Sequence, residues 1–228
     1  MPPHIQIAID GPAASGKTTV ARRLADRLQM LYLDTGAMYR ALAWLALHTQ
    51  THVDNQDALV HLCQTQRITI RLDRDAPIGF RVLAGATELG AEQLESNEVT
   101  AVVSIVAAHA LVREAMVREQ RRIAQAGPVV MAGRDIGTVV LPDAPVKIFL
   151  TASVRARVER RRMQLERSGV DVDAHELSQE IEERDRLDKE RANSPLRKAQ
   201  DAHEIDSSDR SVEQVVDAIY EIVERVAV

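Results

Sequence analysis

The chain has 228 residues, of which 45% are hydrophobic and 28% are charged, which excludes a mainly disordered chain and fits one large globular domain. Asp and Glu (34) outnumber Lys and Arg (29), and the net charge of −5 excludes the basic surplus of a general nucleic-acid binder. Aromatic residues make up only 3%, so the core must be built from Val, Ile, Leu and Ala, as is typical of a parallel sheet covered by helices.

The first 50 residues predict alternating strands and helices. A run with three alternating isoleucines ends at Asp10 and predicts the first strand, and Leu31–Asp34 predicts the second. Apolar residues recur at helical spacing over residues 17–30 and 35–48. Because the order strand, loop, helix, strand implies parallel βα units, the predicted fold class is α/β.

The pattern changes between about residues 67 and 97. Apolar and polar residues alternate over 68–72 and again from Phe80 to Val82, and turn-forming residues lie between them at 73–79. This arrangement is typical of a β-hairpin. We therefore predict a small β-rich insertion within the α/β chain.

The second half of the chain predicts the remaining elements. They are helical segments over 98–126, core strands at 129–132 and 146–150, a short strand at 204–206 and a closing helix over 212–226. Residues 151–200 hold 12 Lys or Arg and 11 Asp or Glu. Such a charge density is typical of a solvated pair of helices.

Cysteine and histidine usage excludes several kinds of site. Cys63 is the only cysteine, which excludes an internal disulfide and a cysteine-based zinc site, and the seven histidines lack metal-ligand spacing. The sequence shows no signal peptide and no apolar run long enough to cross a bilayer. We expect a cytoplasmic protein without a membrane or nucleic-acid partner.

The strongest motif is a glycine-rich loop between the first strand and the first helix. It matches G-x-x-x-x-G-K-[ST] in full as Gly11, Pro12, Ala13, Ala14, Ser15, Gly16, Lys17 and Thr18. Small residues let backbone N–H groups surround a polyphosphate, and the helix N-terminus adds its positive dipole. Lys17 can reach the β- and γ-phosphates, and the Thr18 hydroxyl can ligate Mg²⁺.

This loop alone is compatible with a kinase, an ATPase or a GTPase. The chain has no Asn-Lys pair, which disfavours the guanine-binding signature of a GTPase. The predicted strands at 129–132 and 146–150 do not end directly in an acidic residue, as they would in a motor or transport ATPase. Arginines follow the core strands instead, which favours a second phosphorylated ligand.

Five further motifs resemble those of the bacterial cytidylate kinases, within the nucleoside monophosphate kinase superfamily. They are Ile9–Pro12, Leu33–Arg40, Gly133–Val140, Pro142–Leu150 and Glu183–Asp185, and the resemblance spans about residues 4–226. It implies a P-loop kinase fold with a core (1–34, 127–155 and 195–228), a monophosphate-binding region (35–126) that carries the insertion, and a helical lid (about 156–183). It also implies that ATP with Mg²⁺ phosphorylates CMP and dCMP, and we expect a monomer.

The resemblance assigns expected roles to matching residues. The catalytic set would be Lys17, Arg134, Asp135 and Arg184. ATP would be bound by the glycine-rich loop, with Thr19 following it and with the lid residues Arg157, Arg160 and Arg161. The CMP site would contain Ser104, Arg113 and Asp135 at the base, Arg184 and Asp188 at the ribose, and Arg40, Arg134 and Arg191 at the phosphate. Thr35 would also bind the substrate.

Residue chemistry supports the base and ribose assignments. Cytosine offers an amino donor beside two acceptors, so a carboxylate with an arginine complements it, whereas uracil would turn an acceptor toward Asp135. Arg184, Asp188 and Arg191 follow the spacing i, i+4, i+7 and would share one helix face. The alternative interpretation of these three is an exposed salt bridge without function.

Two expectations depend on local geometry. Ser104 and Arg113 are nine residues apart, roughly 180° around a continuous helix, so we predict a break near His109–Leu111. Asp34 could orient Lys17 or a Mg²⁺-bound water, or it could cap the following helix. The rival functions are a kinase of another small acceptor, such as UMP, AMP or shikimate, and a non-catalytic nucleotide switch or nucleic-acid-binding ATPase.

Overall fold

A computed structural model of the chain describes residues 5–66, 68–73, 76, 79–167, 169 and 172–227. Its strands are β1 (Gln6–Asp10), β2 (Leu31–Asp34), β3 (Ile68–Leu72), β4 (Phe80–Ala84), β5 (Thr87–Leu89), β6 (Val129–Gly133), β7 (Val146–Thr151) and β8 (His203–Asp206). Its helices are α1 (Lys17–Leu28), α2 (Gly36–His48), α3 (Gln56–Gln66), α4 (Ala91–Leu94), α5 (Asn97–Ala108), α6 (Ala110–Ala124), α7 (Val154–Arg167), α8 (Ala174–Glu190) and α9 (Val212–Ala227). A short π-helix, Ile136–Val140, follows β6.

The main sheet confirms the predicted α/β class. Five parallel strands lie in the order β2, β6, β1, β7, β8. Their carboxyl ends share one edge, where Asp10 is in register with Gly133 and Asp34 is in register with Ala132. Because ligands of open α/β sheets bind at this edge, the site is expected there.

Aliphatic side chains bury the main sheet, as the composition predicts. Ile7, Ile9, Leu33, Met131 and Ile148 are each at most 1% exposed. Burying a side chain of this size contributes roughly 1.5–3 kcal/mol relative to leaving it in water. The sheet is therefore a rigid support for the loops at its carboxyl edge.

The predicted β-rich insertion is confirmed and contains one strand more than a hairpin. β3 pairs antiparallel with β4, and β4 pairs antiparallel with β5, which the sequence pattern does not predict. Phe80 of β4 packs against Tyr32 of β2 with ring centroids 5.8 Å apart, so the insertion contacts the main sheet. Residues 74, 75, 77 and 78 of the predicted turn lie outside the described residues.

The predicted helix break is confirmed. Helices α5 and α6 meet at 95°, and His109 between them has an extended backbone. Side chains satisfy the free backbone groups at the bend: Arg113 Nη1 donates to the Ala107 carbonyl at 3.1 Å, and Gln56 Oε1 accepts the Leu111 N–H at 3.0 Å. These contacts explain how the chain turns without proline or glycine.

Helix α2 leaves its C-terminal end near solvent. Met38 and Leu42 are fully buried, whereas His48 is exposed. The Trp44 indole stacks on the His48 imidazole, with centroids 4.7 Å apart and 10° between the ring planes. The only tryptophan of the chain thus lies one turn after Arg40.

The charged stretch after β7 forms the predicted helical pair, because α7 and α8 pack against each other. Within the described ranges, no single helix is both long and apolar enough to span a membrane. Helices α5 and α6 taken together reach the required length and composition across their 95° bend.

Candidate active site

The loop between β1 and α1 has the backbone of a phosphate cradle. A Cβ at Gly11, where φ is +154°, would lie 2.1 Å from the Leu150 carbonyl oxygen, so no larger residue fits there. Gly16 precedes α1 in a left-handed conformation (φ +92°), which glycine adopts readily. Since Gly16 offers no capping side chain, the first N–H groups of α1 remain available to an anion.

Lys17 is buried within this loop. Its Nζ donates to the Pro12 carbonyl at 2.6 Å and lies 3.4 Å from Ser15 Oγ. Burial, followed by the positive charge of Arg134, holds the pKa of Lys17 well below its usual value, although nearby carboxylates oppose this. A negative group beside the ammonium would therefore be strongly favourable, as expected of a phosphate-binding lysine.

Asp34 caps helix α2, which is one of its two predicted roles, and it also accepts a hydrogen bond from Thr18, the predicted Mg²⁺ ligand. Its Oδ1 accepts the Gly36 N–H at 2.9 Å and caps α2, while its Oδ2 accepts the Thr18 hydroxyl at 2.8 Å. Thr18 and Asp34 thus present hard oxygen ligands beside Lys17, which suits Mg²⁺. The described residues gather no group of three or more His, Cys, Asp or Glu side chains, so phosphate and water oxygens would complete such a site.

A cavity of about 790 Å³ opens in front of the loop. Residues 13–19 line it, together with five arginines from three helices and one loop: Arg40, Arg134, Arg160, Arg161 and Arg184. The volume lies within the range of small-molecule binding sites. Side chains that are far apart in the sequence therefore converge on the same cavity as the phosphate cradle.

These five arginines, called the arginine wall below, have the electrostatics of an anion site. Burial, followed by the charges of Arg134 and Arg40, lowers the pKa of Arg184 to about 10. Burial also lowers the pKa of Arg40, whose Nη1 is held 3.0 Å from the Leu94 carbonyl and 3.0 Å from Thr100 Oγ1. Crowded guanidinium groups of this kind are stabilised by a bound anion.

Asp188 connects two of the predicted substrate arginines. Its Oδ2 accepts Arg134 Nε at 2.7 Å, and its Oδ1 lies 3.7 Å from Arg191 Nη1. Burial raises the pKa of Asp188, but the charges of Arg134, Arg191 and Arg184 outweigh it and hold that pKa below its ordinary value. Because the Asp188 and Arg191 side chains are only 13% and 8% exposed, the exposed-salt-bridge interpretation is wrong.

Asp135 and Arg113 form a buried ion pair behind Arg134, with side chains 6% and 4% exposed. The Arg113 guanidinium also lies over the Tyr39 ring at 5.2 Å. Arg191 Nη2 lies 3.9 Å from Asp135 Oδ1, and neither this nitrogen nor Arg113 Nε has a hydrogen-bond partner among the described residues. Since buried N–H groups without partners are costly, these donors are suited to a ligand.

A sequence profile of the family described as cytidylate kinase matches residues 7–225. The chain belongs to the cytidylate kinase family. It is 50% identical to the cytidylate kinase of Geobacillus kaustophilus over 220 residues, covering 96% of both chains, and 47% identical to that of Bacillus cereus (strain ATCC 10987 / NRS 248) over 223 residues, covering 98% and 97%. A solved structure of an uncharacterized Eubacterium ventriosum protein shares the fold at 16% identity (TM-score 0.50, covering 96% and 98%).

Three of the nine residues predicted to bind substrate, Arg40, Arg134 and Arg184, line the cavity of this cytidylate kinase family member. The other six are not among the described residues that line it: Thr35, Ser104, Arg113, Asp135, Asp188 and Arg191. The Thr35 hydroxyl is buried and donates to the Ala132 carbonyl at 3.0 Å, so it joins β2 to β6. Ser104 is half-buried on α5. Their contacts with a substrate stay predictions.

Two of the three lid arginines contact the cradle itself. Arg160 Nη1 donates to the Ser15 carbonyl at 3.2 Å and to Ser207 Oγ at 3.0 Å. Arg157 is buried: its Nη1 donates to the Ala13 carbonyl at 3.2 Å and pairs with Asp185 Oδ2 at 2.7 Å. Arg157, expected to close over ATP, therefore braces the loop against α8 instead of lining the cavity, while Arg161 lines it.

This brace predicts a large loss of stability when its acid is removed. Asp185→Ala leaves the buried Arg157 charge without its carboxylate, so we expect the free energy of unfolding to fall by about 3–5 kcal/mol. Urea unfolding followed by circular dichroism measures it. Glu183→Ala is the control, because its partner Arg186 lies at the surface, and we expect no measurable change. A loss below about 1 kcal/mol for Asp185→Ala contradicts the brace.

Two buried acids, Asp10 and Asp185, receive no role in the sequence analysis, although the sequence pattern around each of them indicates burial. Asp185 continues the apolar stripe of α8 at i, i+4, i+8 after Leu177 and Ile181, and all three are buried. Asp10 ends an otherwise apolar strand and is 4% exposed. An acidic residue at a position whose pattern predicts burial needs a partner, so it indicates a site or a structural link.

Proposed function

We propose that this chain transfers the γ-phosphate of ATP to the phosphate of CMP or dCMP, giving ADP and CDP or dCDP. The observation that carries the proposal is that the phosphate cradle and the arginine wall line one cavity. The cradle suits a triphosphate, and the arginines suit an acceptor that is itself phosphorylated. Membership of the cytidylate kinase family supports the same reaction.

The donor phosphates would lie in the cradle. The N–H groups at the start of α1 and the Lys17 ammonium would bind their oxygens, and Lys17 would exchange its present contacts with Pro12 and Ser15 for phosphate. Arg161 reaches the same space from the lid. Thr18 and Asp34 would hold Mg²⁺, which supplies neutralisation of phosphate charge when bound.

The acceptor would be held at the arginine wall. Arg40, Arg134 and Arg191 would bind the phosphate of CMP, and Arg184 with Asp188 would bind the ribose. The planar fork of arginine donates two parallel hydrogen bonds to a phosphate, which fixes its orientation. An acceptor phosphate is already ionised at neutral pH, so the chain needs to position and neutralise it and needs no general base.

The buried pair behind the wall would select the base. Asp135 would accept the cytosine amino group, and Arg113 would donate to a ring acceptor through an N–H group that has no partner among the described residues. Uracil would place an acceptor against Asp135 and leave a buried group unpaired. Ser104 would add a contact from α5, across the bend at His109.

The helical pair α7 and α8 would act as a lid, which the predicted division places at about residues 156–183. The rest of that division is a core (1–34, 127–155 and 195–228) and a monophosphate-binding region (35–126). Closure would exclude water, since an open site would hydrolyse ATP. We further propose a cytoplasmic monomer without a membrane or nucleic-acid partner. The net charge of −5 supports the absence of a nucleic-acid partner.

A panel of acceptors tests the proposal. With ATP and Mg²⁺ fixed, kcat/KM for CMP and dCMP is expected to exceed that for UMP and AMP by about 100-fold or more, because the wrong base leaves buried polar groups unpaired. ADP formation in a coupled assay measures each value. A preference for UMP contradicts the base-reading assignment. ATP turnover that is independent of CMP contradicts the kinase reaction.

A further inference from the structure

Asp10 connects the donor loop to the acceptor loop. It is the last residue of β1, directly before Gly11, and it is 4% exposed. Its Oδ1 accepts the Ile136 N–H at 2.8 Å, and its Oδ2 accepts the Gly137 N–H at 2.7 Å. Both carboxylate oxygens therefore accept backbone hydrogen bonds from the residues directly after Arg134 and Asp135.

These two N–H groups begin the π-helix Ile136–Val140. The first turn of a helix leaves its N–H groups without partners inside the helix, and the residue before the helix usually caps them. Here that residue is Asp135, and its side chain makes no capping bond. Asp10 supplies the cap from a different strand, so the Asp135 carboxylate remains free to pair with Arg113.

The charge surroundings of Asp10 also join the two sites. The pKa of Asp10 is raised to about 6, chiefly by burial, while its two backbone hydrogen bonds oppose the rise. Asp135 on the acceptor side contributes to the rise, and Lys17 on the donor side opposes it. Asp10 thus lies within electrostatic range of both the base-reading acid and the phosphate-binding lysine.

We propose that Asp10 is a positioning residue that fixes Arg134 and Asp135 relative to the phosphate cradle. It acts through the backbone of Ile136 and Gly137 and touches neither substrate. The inference rests on the proposed function, because it assigns Arg134 and Asp135 to CMP. As a consequence, one carboxylate sets the position of the acceptor site relative to the donor site.

Asp10→Asn tests this role with almost no change in volume. The carboxamide keeps one acceptor oxygen and turns an NH₂ group toward the second N–H, so the loop must shift. We expect kcat/KM for CMP to fall by about 10- to 100-fold, because misplacement by about 1 Å has effects of this size. The ratio of kcat/KM for CMP over UMP is expected to fall too, while KM for ATP changes less than about twofold.

Asp143→Asn is the control. It makes the same change from acid to amide at an exposed position of the loop after the π-helix. Its kinetic constants are expected to equal those of the wild type. If Asp10→Asn does not fold, Gly137→Ala replaces it, since the new Cβ would lie 3.4 Å from Asp10 Oδ2 and 3.2 Å from Lys147 Cδ. It is expected to change the same constants in the same direction, by less.

The outcomes separate this inference from the proposed function. A wild-type enzyme that does not phosphorylate CMP overturns the function. If the wild type uses CMP, equal effects of Asp10→Asn on CMP and ATP with an unchanged CMP over UMP ratio show a purely structural role and overturn the inference. Unchanged constants overturn it as well. A selective loss for CMP with reduced base discrimination supports it.

Discussion

Replacing Lys17 with methionine is expected to lower kcat/KM for ATP by about 10²- to 10³-fold, or roughly 3–4 kcal/mol of transition-state stabilisation. The ammonium is the buried positive group of the cradle, held at 2.6 Å from the Pro12 carbonyl, and it would contact the phosphate that is transferred. Methionine keeps a similar length and removes the charge. Initial rates with CMP saturating and ATP varied measure the effect.

The same variant separates catalysis from folding. Burial holds the pKa of Lys17 below its usual value, which means that the folded chain disfavours the charged form. Protonated Lys17 therefore destabilises the folded state, and Lys17→Met is expected to melt at or above the wild-type temperature. Lys189→Met, on the exposed side of α8, is the control and should leave both quantities unchanged. Turnover within about tenfold of the wild type would contradict the proposal that Lys17 stabilises the transition state.

Asp135→Asn is expected to lower kcat/KM for CMP by about 10²- to 10³-fold and to leave that for UMP equal or higher. The carboxylate is 6% exposed and is the proposed acceptor for the cytosine amino group. An amide can turn an N–H donor toward the uracil O4 acceptor. The ratio of kcat/KM for CMP over that for UMP should therefore fall, because the first value decreases while the second is kept or increases. Rates with both nucleotides at equal ATP measure the ratio.

Stability must be measured beside these rates. Asp135→Asn weakens the buried pair with Arg113, so the free energy of unfolding is expected to fall by on the order of 3 kcal/mol. Asp143→Asn, at an exposed position of the next loop, is the control for both measurements. If the CMP over UMP ratio stays at its wild-type value in a folded Asp135→Asn enzyme, then Asp135 does not read the base.

Local patterns predicted most elements of the fold. The isoleucine alternation before Asp10, the hairpin pattern around Phe80 and the charged stretch before residue 200 correspond to β1, to β3 with β4, and to the pair α7 and α8. Helices α3 and α4, strand β5 and the π-helix have no counterpart among the predicted elements. The strand order could not be predicted, since crossover lengths leave several parallel arrangements open.

The helix break shows how chemistry can predict geometry. No breaking residue marks His109, and the bend was predicted only because Ser104 and Arg113 could not otherwise face one ligand. The structure confirms a 95° bend and shows Arg113 donating to the Ala107 carbonyl. A side chain nominated for substrate binding therefore also stabilises the turn, and local propensity does not carry that signal.

Long-range pairs account for what the sequence did not reveal about the site. The family resemblance groups Arg157 with the lid arginines, but its partner Asp185 lies 28 residues further along the chain. The contact of Asp10 with Ile136 spans 126 residues. Such pairs depend on how the helices and strands pack against one another. The spacing of residues within one element indicates only which of them share a face of that element.

The stacked ring pair at the end of α2 gives this enzyme an intrinsic optical probe. Trp44 is the only tryptophan, so all indole fluorescence comes from the helix that also carries Arg40. Titrating a nucleoside monophosphate while recording its emission would test whether ligand binding at Arg40 is transmitted one turn along this helix. No dye, label or coupled enzyme is required for that measurement.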